Sequence, residues 1–428
     1  MQQILFKNIY YYDTQAENAL CGDILVEDGI ITQIGSISET HLDGSAKIIS
    51  GTEYLALPGF INTHTHVAMS LLRDLGGDMP LSRWLNDYIW PAEAKLTDND
   101  VFWGTQLGLL EMFASGTTCF MEMYDHCDAI AEAVKKSGIR AIISRGSVGM
   151  FDSVKKGISE NDALYAKWHG AEHDRIHVWY GPHAPNTCPG AYIQEMAQHA
   201  RERQTGIHIH VAETKEEVEF IQKEYNMTPT AWLASLEIFD NPTLAAHCVW
   251  MTEEDMNIFA QNNVTVAHNP VSNLKLASGI ADVVKMQQKG ITVGLGTDGA
   301  SSNNTLNMLR ELQTAALIHK VRHYNAEEMG ARQAINMATI QGAKALHLQD
   351  KIGSLEVGKK ADITLFKLTQ PWNIPYHDRI NNIAYAAQAG DIDAVFVDGN
   401  CVYHHGEFLT LDKEKILFEC QKIAKRIV

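Results

Sequence analysis

Phe60-Ile61-Asn62-Thr63-His64-Thr65-His66 is the stretch from which the rest of the chain is read. The run leading into it, Tyr54 to Asn62, is apolar and carries strand-forming residues, which predicts one buried β-strand. His64 and His66 follow at its C-terminal end. In extended chain, residues i and i+2 face the same way, so both imidazoles aim at one point. Two converging neutral imidazoles begin a zinc-type site, because borderline nitrogen donors suit zinc and iron. His-x-His alone does not separate a metal site from a surface or packing pair; the remaining sequence has to do that.

The chain has 428 residues, 45% hydrophobic and 20% charged, the balance of an ordinary globular protein. That length allows two or three domains, or a large α/β barrel with an addition. No apolar run reaches the roughly 18 residues of a membrane-spanning helix, so no membrane partner is expected. The first residues lack a basic stretch followed by an apolar one, so no signal peptide is expected. The seven cysteines are odd in number, scattered and without a Cys-x-x-Cys, which fits reduced thiols in the cytoplasm. A net charge of −17 argues against nucleic acid as a partner, since phosphate binding needs a basic face. It does not argue against a small nucleoside. The sequence leaves open whether the chain forms a homo-oligomer.

Both ends read as β. Asp28-Gly29 between two apolar runs is a hairpin signal, and Asp398-Gly399 repeats it near the other terminus. Residues 1–56 and 355–428 are therefore expected to form one composite β-sandwich domain. The middle, 57–354, alternates. Strand-like runs fall at about 117–121, 140–144, 177–180, 207–211, 244–247, 264–268 and 292–295, with helical stretches such as 128–137, 192–204, 253–262 and 280–289 between them. With the strand before His64 these make eight βα units, which predicts an α/β fold of the (β/α)8 TIM-like type as the catalytic barrel.

Chemistry then gathers at the strand ends. Strand four ends in His183, strand five in His208-Ile209-His210 with Glu213 just beyond, strand six in His247, strand seven in His268 and strand eight in Asp298. Active sites of such barrels sit where the C-terminal strand ends converge. One core histidine is usually a structural one, but histidine or aspartate at six strand ends points to a metal centre.

Taken together, Pro58–His66, His210-Val211-Ala212-Glu213 and Leu295-Gly296-Thr297-Asp298-Gly299 resemble the amidohydrolase superfamily over nearly the whole chain. Within it, Met69–Asp74, Trp84-Leu85, Trp90-Pro91-Ala92-Glu93 and Thr297–Asn304 are similar to the 5-methylthioadenosine/S-adenosylhomocysteine deaminases. The resemblance implies that His64, His66, His210 and Asp298 hold one zinc ion per subunit, a set that Fe²⁺ also fits. It implies hydrolytic removal of the adenine 6-amino group, with Glu213 shuttling protons, His247 hydrogen-bonding the attacking water or the developing alkoxide, and Asp298 also accepting a proton. On the substrate side it implies Glu93 at the ribose hydroxyls, His183 at the purine or ribose, Arg145 at the ribose or amino-acid tail, and Trp84 as a wall. His208 reads as structural and His268 as lying behind the ligands.

Two departures matter. Strand four has neither the lysine nor the glutamate that bridges two metals in binuclear relatives, which favours a single ion. No arginine occurs between Gly146 and Asp174 to supplement Arg145, so preference among S-adenosylhomocysteine, methylthioadenosine and adenosine stays open. Two rival readings remain: another reaction on the same scaffold (guanine or cytosine deamination, or s-triazine hydrolysis), and a non-catalytic nucleoside-binding protein.

Overall fold

The computed structural model describes residues 2–152 and 154–427. By its internal contacts the chain forms two compact units: Met1–Asn62, Leu110–Cys119 and Asn307–Asp412 make one, and Thr63–Leu109, Phe120–Leu306 and Lys413–Val428 the other.

The first unit is built on a mixed nine-stranded sheet drawn from both ends of the chain. The two hairpins form as their turn residues require. Asp28 and Gly29 have φ of 46° and 82°, Asp398 and Gly399 of 47° and 71°, so both central positions are left-handed as a two-residue turn demands. Phe6 and Phe396 meet edge to face at 5.3 Å although two strands separate theirs in the sheet order. Strands lie about 4.8 Å apart, so the sheet must fold over on itself. Ile4, Phe6, Ile24, Ile363, Leu365 and Phe396 fill the space between its halves. This is the expected sandwich.

The apolar run Tyr54 to Asn62 is not one strand. Tyr54–Pro58 pairs antiparallel with Ile363–Lys367 in the terminal sheet, while Phe60–Thr65 begins the barrel. Gly59 is the break. Its N–H donates to Asp362 and the next N–H donates to Gly116, so consecutive residues serve different partners. A Cβ at Gly59 would stand 2.1 Å from the Thr118 hydroxyl, so a side chain has no room. Periodicity could not show this, because the residues on both sides of the break are buried strand.

The eight parallel strands of the barrel are Phe60–Thr65, Thr117–Tyr124, Arg140–Ser147, Ile176–Pro182, Ile207–Val211, Thr243–His247, Thr265–His268 and Val293–Leu295, neighbours in that order. The last meets the first: Asp298 N–H donates to His64 C=O at 3.0 Å and the Thr63 hydroxyl to Leu295 C=O at 2.9 Å. Gly296 permits that closure, since a Cβ there would lie 2.9 Å from the His64 backbone. The closing helix, Lys413–Ile427, belongs to this unit; Cys420 bonds to Trp103 C=O, and Arg426 pairs with Asp100. Among the described residues no helix is long and apolar enough to cross a membrane. All seven cysteines are free thiols.

Candidate metal centre and active site

Each strand end delivers its side chain with one ring nitrogen already committed. His66 Nδ1 bonds to Met123 C=O at 2.5 Å and His210 Nδ1 to His183 C=O at 2.6 Å. His64 Nδ1 pairs with His208 Nε2 at 2.8 Å, and His208 in turn contacts the Ser144 hydroxyl at 3.1 Å. Such partners fix the tautomer and leave Nε2 for the shared point. His208 is thus fully buried behind His64, the structural position expected of it. The rings of His66 and His210 each lie 4.9 Å from that of His64.

Asp298 closes the group. Its Oδ1 is 3.2 Å from His66 Nε2 and 3.6 Å from His64 Nε2. Donors at about 2.1 Å around a tetrahedral ion stand roughly 3.4 Å apart, so this spacing suits one zinc-class cation. The other oxygen accepts from Ser272 at 2.6 Å and Ser302 at 2.8 Å, which aims the carboxylate. No helix starts at Asp298; the next begins at Met308, so helix capping does not account for it. One donor atom each from His64, His66 and His210 lie within 4.8 Å of one another, as do those of His64, His247 and Asp298. His247 therefore reaches the same point, its Nδ1 held by Asn273 at 2.8 Å.

Burial pulls His64 down to about 3 and His210 well below the ordinary imidazole range, so both are neutral donors. Burial also pulls on His66, but hydrogen bonding and charge from Asp298 outweigh it and raise it to about 9. Burial works against Asp298 as well, yet His64 and His66 hold it well below the carboxylate range.

Glu213 lies beside this centre, 3.9 Å from His247 Nε2 and 3.4 Å from the Ser278 hydroxyl. Burial, reinforced by the Asp298 charge, raises its pKa. A carboxyl so raised is better matched than a free one to donating and accepting a proton. Glu93 lies in the same cavity with Oε1 2.7 Å from the Tyr124 hydroxyl, and burial raises its pKa too. The cavity holds ≈ 1670 Å³ and is lined by Trp84, Glu93, Arg145, His183, Glu213 and Asp298 among others. Every site residue expected from sequence lies on it except His64, which is fully buried beneath. His183, drawn to about 4 by burial, is neutral and bonds to Thr187. His268 is buried at its strand end.

Several participants were missed. Glu217 accepts from the N–H groups of Ala212 at 2.7 Å and Glu213 at 2.9 Å, cradling the turn that presents Glu213. The signal was present: Thr214-Lys215-Glu216-Glu217 is a capping-box pattern, and Thr214 does cap the helix Lys215–Tyr225. Tyr124, Ser272, Ser302 and Asn273 carry no comparable pattern. Ala212, His247 and Asp298 sit at φ of 50°, 72° and 60°, strain of the kind that collects at functional sites.

Comparison with known proteins agrees with this geometry. A family model described as the amidohydrolase family matches residues 55–402. The chain is 44% identical over 430 residues to a 5-methylthioadenosine/S-adenosylhomocysteine deaminase of Thermoanaerobacter pseudethanolicus, covering 99% of each protein. Its fold is similar to the crystal structure of an adenosine deaminase from Xanthomonas campestris with bound zinc (TM-score 0.94, 30% identity, 100% of this chain and 98% of that one). It is also similar to the zinc complex of the atrazine chlorohydrolase TrzN from Arthrobacter aurescens (TM-score 0.91, 25% identity, 98% and 100%). With more than half of its length matched by the family model and a full-length relative at 44% identity, this chain belongs to the amidohydrolase family.

Proposed function

We propose that the protein is a metal-dependent deaminase that hydrolyses the adenine 6-amino group of 5-methylthioadenosine, S-adenosylhomocysteine and adenosine to the inosine analogue and ammonia. The observation that carries this is the convergence of His64, His66, His210 and Asp298 on one point with the buried carboxyl of Glu213 beside it. The donor set supports one zinc ion, and the fourth barrel strand, Ile176–Pro182, offers no lysine or glutamate for a second. Fe²⁺ suits the same donors, and metal analysis of the purified protein distinguishes the two. Bound there, such an ion supplies the Lewis acidity that makes water a nucleophile at neutral pH.

The residues divide the remaining work. Glu213 donates a proton to purine N1 as the ring loses aromaticity, takes up the proton of the hydroxyl added at C6 as that oxygen becomes the carbonyl, and passes it to the departing ammonia. His247, positioned by Asn273, hydrogen-bonds the oxygen that adds to C6. Asp298 takes the proton that the attacking water gives up. Glu93, steadied by Tyr124, accepts the two ribose hydroxyls. That pair supports a ribose-bearing substrate over an s-triazine, which has no hydroxyls to offer it. His183 contacts the purine or ribose, and Trp84 walls the cavity.

Ammonia release from the three adenosine derivatives, with zinc-loaded protein and an Asp298→Ala control, tests the reading. Release by wild type and not by the control supports it. No release from any of the three would overturn it, and guanine, cytosine and triazines would be assayed next. The seven free thiols support a reducing, cytoplasmic setting.

A further inference from the structure

Arg145 lines the cavity just beyond the third barrel strand's centre, yet its guanidinium is already engaged on three sides. Nε bonds to Glu160 Oε2 at 2.9 Å, Nη2 pairs with Asp125 Oδ2 at 3.1 Å, and Nη1 bonds to Gly146 C=O. The side chain is 14% exposed. Lys156, the next cation on that wall, pairs with the second oxygen of Glu160 at 3.1 Å. Asp152 lines the cavity there too, accepting from Lys156 N–H and the Tyr192 hydroxyl. Two cations thus face three carboxylates. Asp125 directly follows Tyr124, whose hydroxyl holds Glu93, so this wall adjoins the proposed ribose contact.

We propose that Asp125 and Glu160, by occupying Arg145, make the site select 5′-thioether nucleosides with an uncharged 5′ substituent over those ending in an amino-acid carboxylate. This rests on the deaminase reading above. Arg145, Asp125 and Lys156 line the same cavity as Glu93 and the metal centre, which puts this wall within reach of the 5′ substituent of a nucleoside whose ribose sits at Glu93. An incoming carboxylate must evict Asp125 from Arg145 or crowd in as a further anion around one guanidinium. The first exchanges one ion pair for an equivalent one, and Asp125, its side chain already 52% exposed, regains little hydration to offset what the incoming carboxylate loses; the second adds like-charge repulsion beside a guanidinium that is itself largely buried. The ammonium of the same tail gains little, since Asp125 also accepts from His126 N–H at 2.6 Å and the neighbouring acids are bonded to Lys156, Arg145 and Tyr192. A methyl thioether makes neither demand. Trp84, Trp90 and Phe151 line the same cavity, the last two packed edge to face at 6.2 Å, and offer it an apolar surface.

The test is kcat/KM for methylthioadenosine and S-adenosylhomocysteine with the zinc-loaded full chain, alongside Asp125→Asn and Glu160→Gln. Wild type should favour methylthioadenosine by about tenfold or more, the discrimination of one mismatched charge contact, and the ratio should move about tenfold toward S-adenosylhomocysteine in either variant. A ratio between two substrates is insensitive to general damage, so a merely structural role would not shift it. Equal or better use of S-adenosylhomocysteine by wild type, or a ratio unmoved in both variants, would overturn the proposal. If neither substrate releases ammonia, the reaction reading fails separately. Calorimetric binding of the same two nucleosides then decides the selectivity, and equal affinities would overturn it.

Discussion

Replacing Glu217 with alanine isolates the cradle beneath Glu213. In the native turn this carboxylate accepts two backbone N–H groups, from Ala212 at 2.7 Å and Glu213 at 2.9 Å, and all three residues are largely buried. Leaving a buried donor unsatisfied costs about 1–3 kcal/mol, so the pair amounts to about 2–6 kcal/mol of local stability. Ala212 is held at φ 50°, its carbonyl accepting from the N–H groups of Val249 and Trp250, so loss of the carboxylate frees chiefly the Glu213 side of this turn. A displacement of about 1 Å at a catalytic group lowers turnover by roughly a hundredfold. Expected, then, are a kcat for methylthioadenosine down about a hundredfold, a lower thermal midpoint, and unchanged zinc content, because the Nδ1 partners of His64, His66 and His210 do not involve Glu217. The assays are steady-state ammonia release, thermal unfolding and elemental analysis of one preparation. A variant that melts earlier yet keeps kcat within about twofold would refute the reasoning that Glu213 depends on this cradle.

Glu213→Gln should retain its metal and lose about 10²–10⁴-fold in kcat, and ordinary turnover would remove Glu213 from proton transfer. Zinc binding to metal-free protein at pH 7–8 should release a proton, since Asp298 holds His66 protonated with a pKa of about 9 while a ligand must be neutral; titration in two buffers of different ionisation enthalpy reads the number. Glu122 is fully buried, accepts from Val67 N–H at 2.9 Å, and is pushed up to about 8 by that burial. The unfolded chain loses this proton near the ordinary value of 4.5. Between these pH values the native state binds more protons than the unfolded one, so this group's contribution to stability falls as pH rises from about 4.5 to about 8. Glu122→Gln should flatten that part of the stability–pH curve, and an unaltered slope would show the carboxyl ionises freely in the fold.

Much of the architecture was readable because it rests on local chemistry. Asp28-Gly29 and Asp398-Gly399 dictate their own turns, and most of the barrel strands are β-forming runs that end at, or within three residues of, a histidine or aspartate. The ligand candidates needed only alternation and position at a strand end. What escaped depends on tertiary register. The split at Gly59 is invisible to periodicity, since the deciding contact is Thr118, 59 residues away. The engagement of Arg145 by Asp125 requires the second and third barrel strands to lie side by side. Ser272 and Ser302 look like any surface serine until Asp298 is placed between them. Glu217 was legible as a cap, but not as a support for the turn that presents Glu213.

The pairing of Tyr54–Pro58 with Ile363–Lys367 also sets an order of events during synthesis. The strand that runs on into His64 is translated early, but its sheet partner emerges some 300 residues later, so that anchorage must await nearly the whole chain. Closing so long a loop is entropically unfavourable and slows folding of such a topology. A ribosome-bound chain cut short before Ile363 would leave an apolar strand edge unmatched just upstream of His64 and His66. Such fragments are natural clients for chaperones, and the strand leading to the candidate metal ligands is among the last parts of the molecule to be secured.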